Sequence, residues 1–145
     1  GGLITALSVS LGFRFSQWVL MSAPASFTSL LQHYLRQHHL PDTYLAPLYA
    51  WYQARFPASA LPVTDSLFAL ADVPALILHG QQDTKINPAD AWKIHLQLPH
   101  SKLALVADTG HQGVLTHHRT QYELKSFLRT VNADPEKRSH YVGSH

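Results

Sequence analysis

Three short runs of unbroken apolar residues constrain this chain most: Trp18-Val19-Leu20-Met21, Ala75-Leu76-Ile77-Leu78 and Leu103-Ala104-Leu105-Val106. A strand with one face in water alternates apolar and polar residues, whereas a strand apolar throughout needs cover on both faces. Each run ends in turn chemistry: Ser22-Ala23-Pro24 after the first, His79-Gly80 after the second, and a loop from Ala107 to Gly113 after the third. Between them the spacing becomes helical. Leu30, Leu31, Tyr34 and Leu35 form one stripe, and Leu45, Leu48, Tyr49, Tyr52 and Phe56 form another. Pro41 and Pro47 divide that region into two or three short helices. Asn87-Pro88-Ala89-Asp90 starts a further helix, with Asn as N-cap, Pro at the first helical position and an acid in the first turn. It carries Ala91, Ile94, Leu96 and Leu98 and ends at Pro99. A last helix over 119–130 presents Tyr122, Leu124, Phe127 and Leu128. Before the first run, Leu3 to Leu11 reads as a helix buried on several sides and stopped by Gly12. Residues 58–62 read as a loop and 66–71 as a helical turn. Strands alternate with helices, so the fold class is α/β, a parallel sheet with both faces covered.

Composition then excludes several function classes. At 145 residues and 46% hydrophobic, the chain can build the core of one domain. Only 14% of residues are charged, against about 25% in an average soluble domain, which excludes disorder as the main state. The net charge is +2 and the basic residues are scattered from Arg14 to Arg138, so no basic stripe offers a face to nucleic acid. The absence of cysteine removes disulfides, thiolate metal sites and cysteine nucleophiles, and suits a reducing cytoplasm. Leu3 to Phe13 is too short to span a bilayer and lacks the basic start of a signal peptide. Eleven histidines raise a metal question. However, His38-His39 and His117-His118 are adjacent pairs whose side chains would diverge on a helix, His33 and His38 are five apart, and no H-E-x-x-H occurs. No metal and no other cofactor is expected. Residues 133–145, with the basic pair Lys137-Arg138, read as a flexible tail.

In a parallel α/β sheet, functional groups collect on the loops beyond the carboxyl ends of the strands. Two such loops carry ionisable residues: His79-Gly80-Gln81-Gln82-Asp83 and Asp108-Thr109-Gly110-His111. Adjacent parallel strands would bring Asp83 and His111 together across 28 residues of sequence. A carboxylate facing an imidazole fixes its tautomer and supports its positive charge, as a general base requires. Gly110 allows a sharp turn just before the histidine. Alone, Asp83 would read as an N-cap or turn residue. Asp108 is the rival acid and ranks second, because its spacing suits a local turn hydrogen bond. His79 reads as a hydrogen-bonded residue at a strand end. Ser22 ends a strand without the flanking glycines of a nucleophile elbow and is not expected to act as one. The aromatic stripe Tyr44, Tyr49, Trp51, Tyr52 and Phe56 reads first as core, and second as the lining of an acyl or aryl pocket.

The run P-A-L-I-L-H-G-x-x-D at 74–83, then Asn87-Pro88, then Gly110-His111, resembles the C-terminal half of the α/β-hydrolase family. In that family the triad runs in chain order Ser, Asp or Glu, His. The resemblance extends over about 130 residues. It implies that Asp83 is the triad acid, on the loop after the family's seventh strand, and that His111 is the base, after its eighth. Trp18 to Ala23 resembles the sixth strand, and residues 26–70 lie where the family inserts a helical cap. Gly1-Gly2 followed by Leu3 to Leu11 resembles the end of the G-x-S-x-G elbow, which places the serine two residues before Gly1. No internal G-x-S-x-G replaces it, so residues 1–132 are expected to be a partial hydrolase domain that is inactive alone.

The function this implies is that of a serine hydrolase, esterase-like, acting on a small-molecule ester or acyl substrate. Thioesterase, peptidase and acyltransferase chemistry remain open, since the residues disclose the proton machinery and not the substrate. A rival from another class is a hydrolase-derived protein without catalysis that binds a partner through an open sheet edge. Such an edge, where the missing fifth strand would pair, also invites self-association. A ligand-binding module built on the aromatic stripe is the third alternative.

Overall fold

The computed structural model describes residues 15–55 and 71–132. The expectations for Gly1-Gly2, for the helix at Leu3–Leu11, for Phe56, for 58–70 and for the tail at 133–145 lie outside the described residues.

Three strands form one parallel sheet: β1 (Trp18–Met21), β2 (Ala75–Gly80) and β3 (Ser101–Val106), in the order β1-β2-β3. Trp18 to Met21 pair with Ala75 to Leu78, and Ala75 to Gly80 pair with Ser101 to Val106. β2 is therefore central, and all six of its residues are buried. It runs two residues beyond its apolar segment, because His79 and Gly80 continue the register opposite Leu105 and Val106.

Helices cover both faces, as unbroken apolar strands require. Trp18, Leu20, Ala75 and Ile77 pack against Ala91, Ile94 and Leu98 of the helix that follows β2, α3 (Ala89–Gln97), and its C-cap. Leu76, Leu78, Ala104 and Val106 pack on the opposite face against Val114 and Phe127. These last two belong to α4 (Gly113–Thr116) and α5 (His118–Asn132). Asn87 Oδ1 accepts the Ala89 N–H at 2.9 Å, so the Asn-Pro start of α3 is capped as its residues suggest. The one-turn helix α4 has no counterpart in the sequence reading. Four residues are too few to show a period.

The region after β1 consists of α1 (Phe27–Gln37), a 3₁₀ turn (Asp42–Tyr44) and α2 (Leu45–Arg55). Ser26 caps α1 by accepting the Ser29 N–H at 2.9 Å. Pro47 is accommodated in the first turn of α2, where its missing N–H costs nothing. The expectation that the aromatic stripe is core does not hold among the described residues. No residue of α2 is buried, Trp51 is 63% exposed and Tyr44 52%. Tyr52 and Tyr49 instead lie against Phe27, with ring centroids 3.8 and 6.4 Å from it.

The divergence expected of His117 and His118 also fails. Their ring centroids lie 4.2 Å apart, because His117 precedes α5 with extended backbone (ψ 138°) and is not on a helical surface with its neighbour. No group of His, Asp or Glu among the described residues is arranged to hold a metal ion. None of the helices described is long and apolar enough to cross a membrane.

Candidate active site

The carboxyl ends of β2 and β3 meet backbone to backbone. Gly80 ends β2 where a Cβ atom would lie 2.4 Å from the Thr109 carbonyl oxygen and 2.8 Å from that of Gly110. Only glycine fits this approach. Past it, Gln81 N–H donates to the Val106 carbonyl and Gln82 N–H to the Thr109 carbonyl, both at 2.9 Å. Thr109 is buried, and its hydroxyl donates to the Val106 carbonyl at 2.9 Å. The two loops are thus one bonded unit before any side chain of the site is considered.

Asp83 and His111 project from this unit toward each other. His111 Nδ1 lies 2.9 Å from Asp83 Oδ2, and the Asp83 side chain is fully buried while the His111 side chain is 33% exposed. Asp83 Oδ1 turns back to accept the N–H groups of Lys85 at 2.8 Å and Ile86 at 2.9 Å, the local turn that aspartate favours. Burial pushes the Asp83 carboxyl up. The Ile86 N–H, the His111 ring and the Lys85 N–H outweigh it and hold the carboxyl below its ordinary value. An ionised carboxylate only accepts, so the neutral His111 ring carries its proton on Nδ1 and presents Nε2 as a base. Nε2 has no hydrogen-bond partner among the described residues. An imidazole oriented this way can take a proton from a hydroxyl and return it to a leaving group.

The other candidates lie elsewhere. Asp108 is exposed, in the left-handed region at φ 53°, and accepts from Gln82 Nε2 at 3.3 Å, not from His111. Its bond reaches across to the β2 loop; it is not the local turn bond expected of it. Ser22 also sits at positive φ (45°), at the end of β1, with its Oγ buried and hydrogen-bonded to nothing in the described structure, so no base is placed upon it.

Three side chains for which the sequence suggested no part in the site shape the surroundings. His33 Nε2 lies 2.6 Å from the Thr84 carbonyl, which ties α1 to the Asp83 loop. Buried Asp90, expected only as a first-turn acid, accepts the Ala25 N–H at 3.1 Å and the Ser29 hydroxyl at 2.7 and 2.8 Å. These two partners are more than 60 residues away in sequence and nothing local signals them, whereas its third, Lys93 Nζ at 3.0 Å, is one helical turn on. His79 is wholly buried behind Asp83, with its pKa pushed down by burial and raised only in part by the Ile86 carbonyl and the Asp83 charge.

Beside α1 runs an open groove of about 510 Å³, lined by Leu30, Leu31, Tyr34, Gln37, His38 and Lys85. This groove uses the stripe of α1 and not the aromatic stripe of α2 that the sequence suggested for a pocket.

No protein-family model matches the chain, and no curated protein matches it. Solved structures do. An esterase from Pyrococcus furiosus superposes with a TM-score of 0.57 at 14% identity, over 99% of this chain and 51% of its own. A bacterial membrane phospholipase A, described as a virulence factor, gives 0.61 at 16% identity, over 92% and 56%. A thermophilic esterase from Thermogutta terrifontis gives 0.53 at 19% identity, over 90% and 62%. The chain spans between 51% and 62% of the length of these three proteins. With its parallel β1-β2-β3 order and helices on both faces, the chain has the fold of the α/β-hydrolases.

Proposed function

We propose that this chain supplies the acid and the base of a Ser-Asp-His triad in an esterase-like serine hydrolase, the serine being contributed by a segment that precedes Gly1. The observation that carries this reading is the contact of His111 Nδ1 with Asp83 Oδ2 at 2.9 Å, on a ring one-third exposed. In the reaction, His111 Nε2 takes the proton of the serine hydroxyl as the oxygen attacks the ester carbonyl. Asp83 stabilises the imidazolium that forms, and His111 then gives its proton to the departing alcohol. Water, deprotonated by the same ring, attacks the acyl carbon, the acyl–serine bond breaks to release the acid, and the ring returns the proton to the serine oxygen. Residues 26–70 act as the cap, and the apolar groove beside α1 takes the acyl or alkyl part of the substrate.

The test is fluorophosphonate labelling of the complete protein, with intact mass read before and after. One label on a serine upstream of Gly1 is expected, and His111→Ala should lower turnover of a short-chain ester by about 10³-fold or more. Absent labelling overturns the assignment and leaves a partner-binding protein on a hydrolase fold; turnover that survives the substitution removes His111 from the mechanism.

A further inference from the structure

Asp83 has a second imidazole neighbour that the acid–base pair does not account for. His79 Nε2 stands 3.2 Å from Asp83 Oδ2 and 3.2 Å from the Ile86 carbonyl, with its side chain 1% exposed. Nε2 carries the ring proton and donates it to the Ile86 carbonyl, while the Asp83 Oδ2 beside it is an electrostatic contact and not a hydrogen bond. Nδ1 is buried with no hydrogen-bond partner in the described structure. A proton on Nδ1 would be a buried donor without an acceptor, so the ring is confined to one neutral tautomer.

The consequence lies in how the carboxylate is held. Asp83 Oδ1 is committed to the Lys85 and Ile86 N–H groups. Oδ2 meets His79 from the interior and His111 from the exposed side. His79 holds the carbonyl of Ile86, the residue whose N–H binds Oδ1, so the ring secures the turn that fixes the carboxylate. We propose that His79 is a positioning residue of the acid–base pair, its Nε2–H holding the Ile86 carbonyl and with it the turn whose N–H groups fix Asp83 in the orientation that receives His111 Nδ1–H. The proposal rests on the reading of Asp83 and His111 as acid and base.

The test is ring ¹H–¹⁵N correlation spectroscopy of the histidines in the 145-residue chain at neutral pH. The unaltered chain should show His79 as the neutral tautomer protonated on Nε2, and a slowly exchanging His111 Nδ1–H. A cationic His79, or one protonated on Nδ1, overturns the proposal with no variant needed. In His79→Leu the His111 Nδ1–H signal should be lost while the backbone signals of β2 and β3 persist. His79→Gln, whose amide can donate from the same place, should restore it. A signal unchanged in His79→Leu overturns the role of His79, and if that variant does not fold, the tautomer decides. Asp83→Asn separates the two levels. If the His111 signal survives Asp83→Asn, the pair itself is refuted; if it is lost there but survives in His79→Leu, only the role of His79 falls.

Discussion

Gly80→Ala tests the site through its backbone, without touching an ionisable group. The added Cβ would stand 2.4 Å from the Thr109 carbonyl oxygen, where ordinary contact begins at 3.4 Å, so about 1 Å of separation must be found. Neither side can yield easily. Gly80 is paired within the central strand, and the Thr109 carbonyl accepts the Gln82 N–H at 2.9 Å. A retreat of that size would stretch the Gln82 bond well past hydrogen-bonding distance and carry His111, two residues on, away from Asp83. The overpacking costs about 1–3 kcal/mol and the lost backbone bond about 1 kcal/mol more. Urea denaturation of the chain should therefore lose about 2–4 kcal/mol, and the His111 Nδ1–H signal should disappear. In a complete hydrolase, a 1 Å displacement of the base should lower kcat/KM by about 10²-fold. A Gly80→Ala chain that keeps both its stability within 0.5 kcal/mol and its His111 signal would show that the two loops are not coupled as described.

Two further predictions concern the other buried carboxylates. Asp90→Ala leaves the Ala25 N–H and the Ser29 hydroxyl without their acceptor, so stability should fall by about 2–3 kcal/mol, and the α1 amides should exchange faster with solvent. Unchanged α1 exchange would sink the view that Asp90 anchors that helix. Glu123 accepts from Lys102 at 2.7 Å and Arg119 at 2.6 Å; the Lys102 bond, then burial in the opposite sense, then the two cations, leave its carboxyl below the ordinary value of 4.5. A depressed folded pKa stabilises above 4.5 and loses that contribution as the pH falls through the folded value. Glu123→Gln should thus cost about 1 kcal/mol at neutral pH, because both cations are more than half exposed and screened. The gap between the urea midpoints of the two chains should close in acid, and a gap that is independent of pH refutes the ion-pair account.

The strands and the proximity of Asp83 to His111 were legible because they follow from short-range rules. An apolar run of four residues reads as a buried strand, and loops at the carboxyl ends of neighbouring parallel strands come together whatever the connection between them. What stayed hidden is what depends on a partner far away in sequence. His79 and Gly80 look like a turn, yet they extend β2 because Leu105 and Val106 lie alongside to pair with them. Asp90 looks like an ordinary first-turn acid, yet its carboxylate serves Ala25 and Ser29. The stripe of α2 has helical spacing but no buried residue among those described, since spacing specifies a face and not what covers it.

The three buried carboxylates differ in a way that bears on the role proposed for Asp83. Asp90 has Lys93 Nζ at 3.0 Å, and Glu123 has Lys102 and Arg119, so each faces a basic side chain directly. Such a carboxylate is neutralised in advance and has little left to offer a charge that appears later. Among the described residues, Asp83 pairs with no lysine or arginine, only with two backbone N–H groups and two imidazoles. With His79 buried and confined to its neutral form, the charge on Asp83 is held by dipoles and stays uncompensated until a proton arrives on His111. In the proposed reaction, the attraction between that carboxylate and a new imidazolium 2.9 Å away would develop during the proton transfer, not before it, which is the condition for an interaction to lower a barrier.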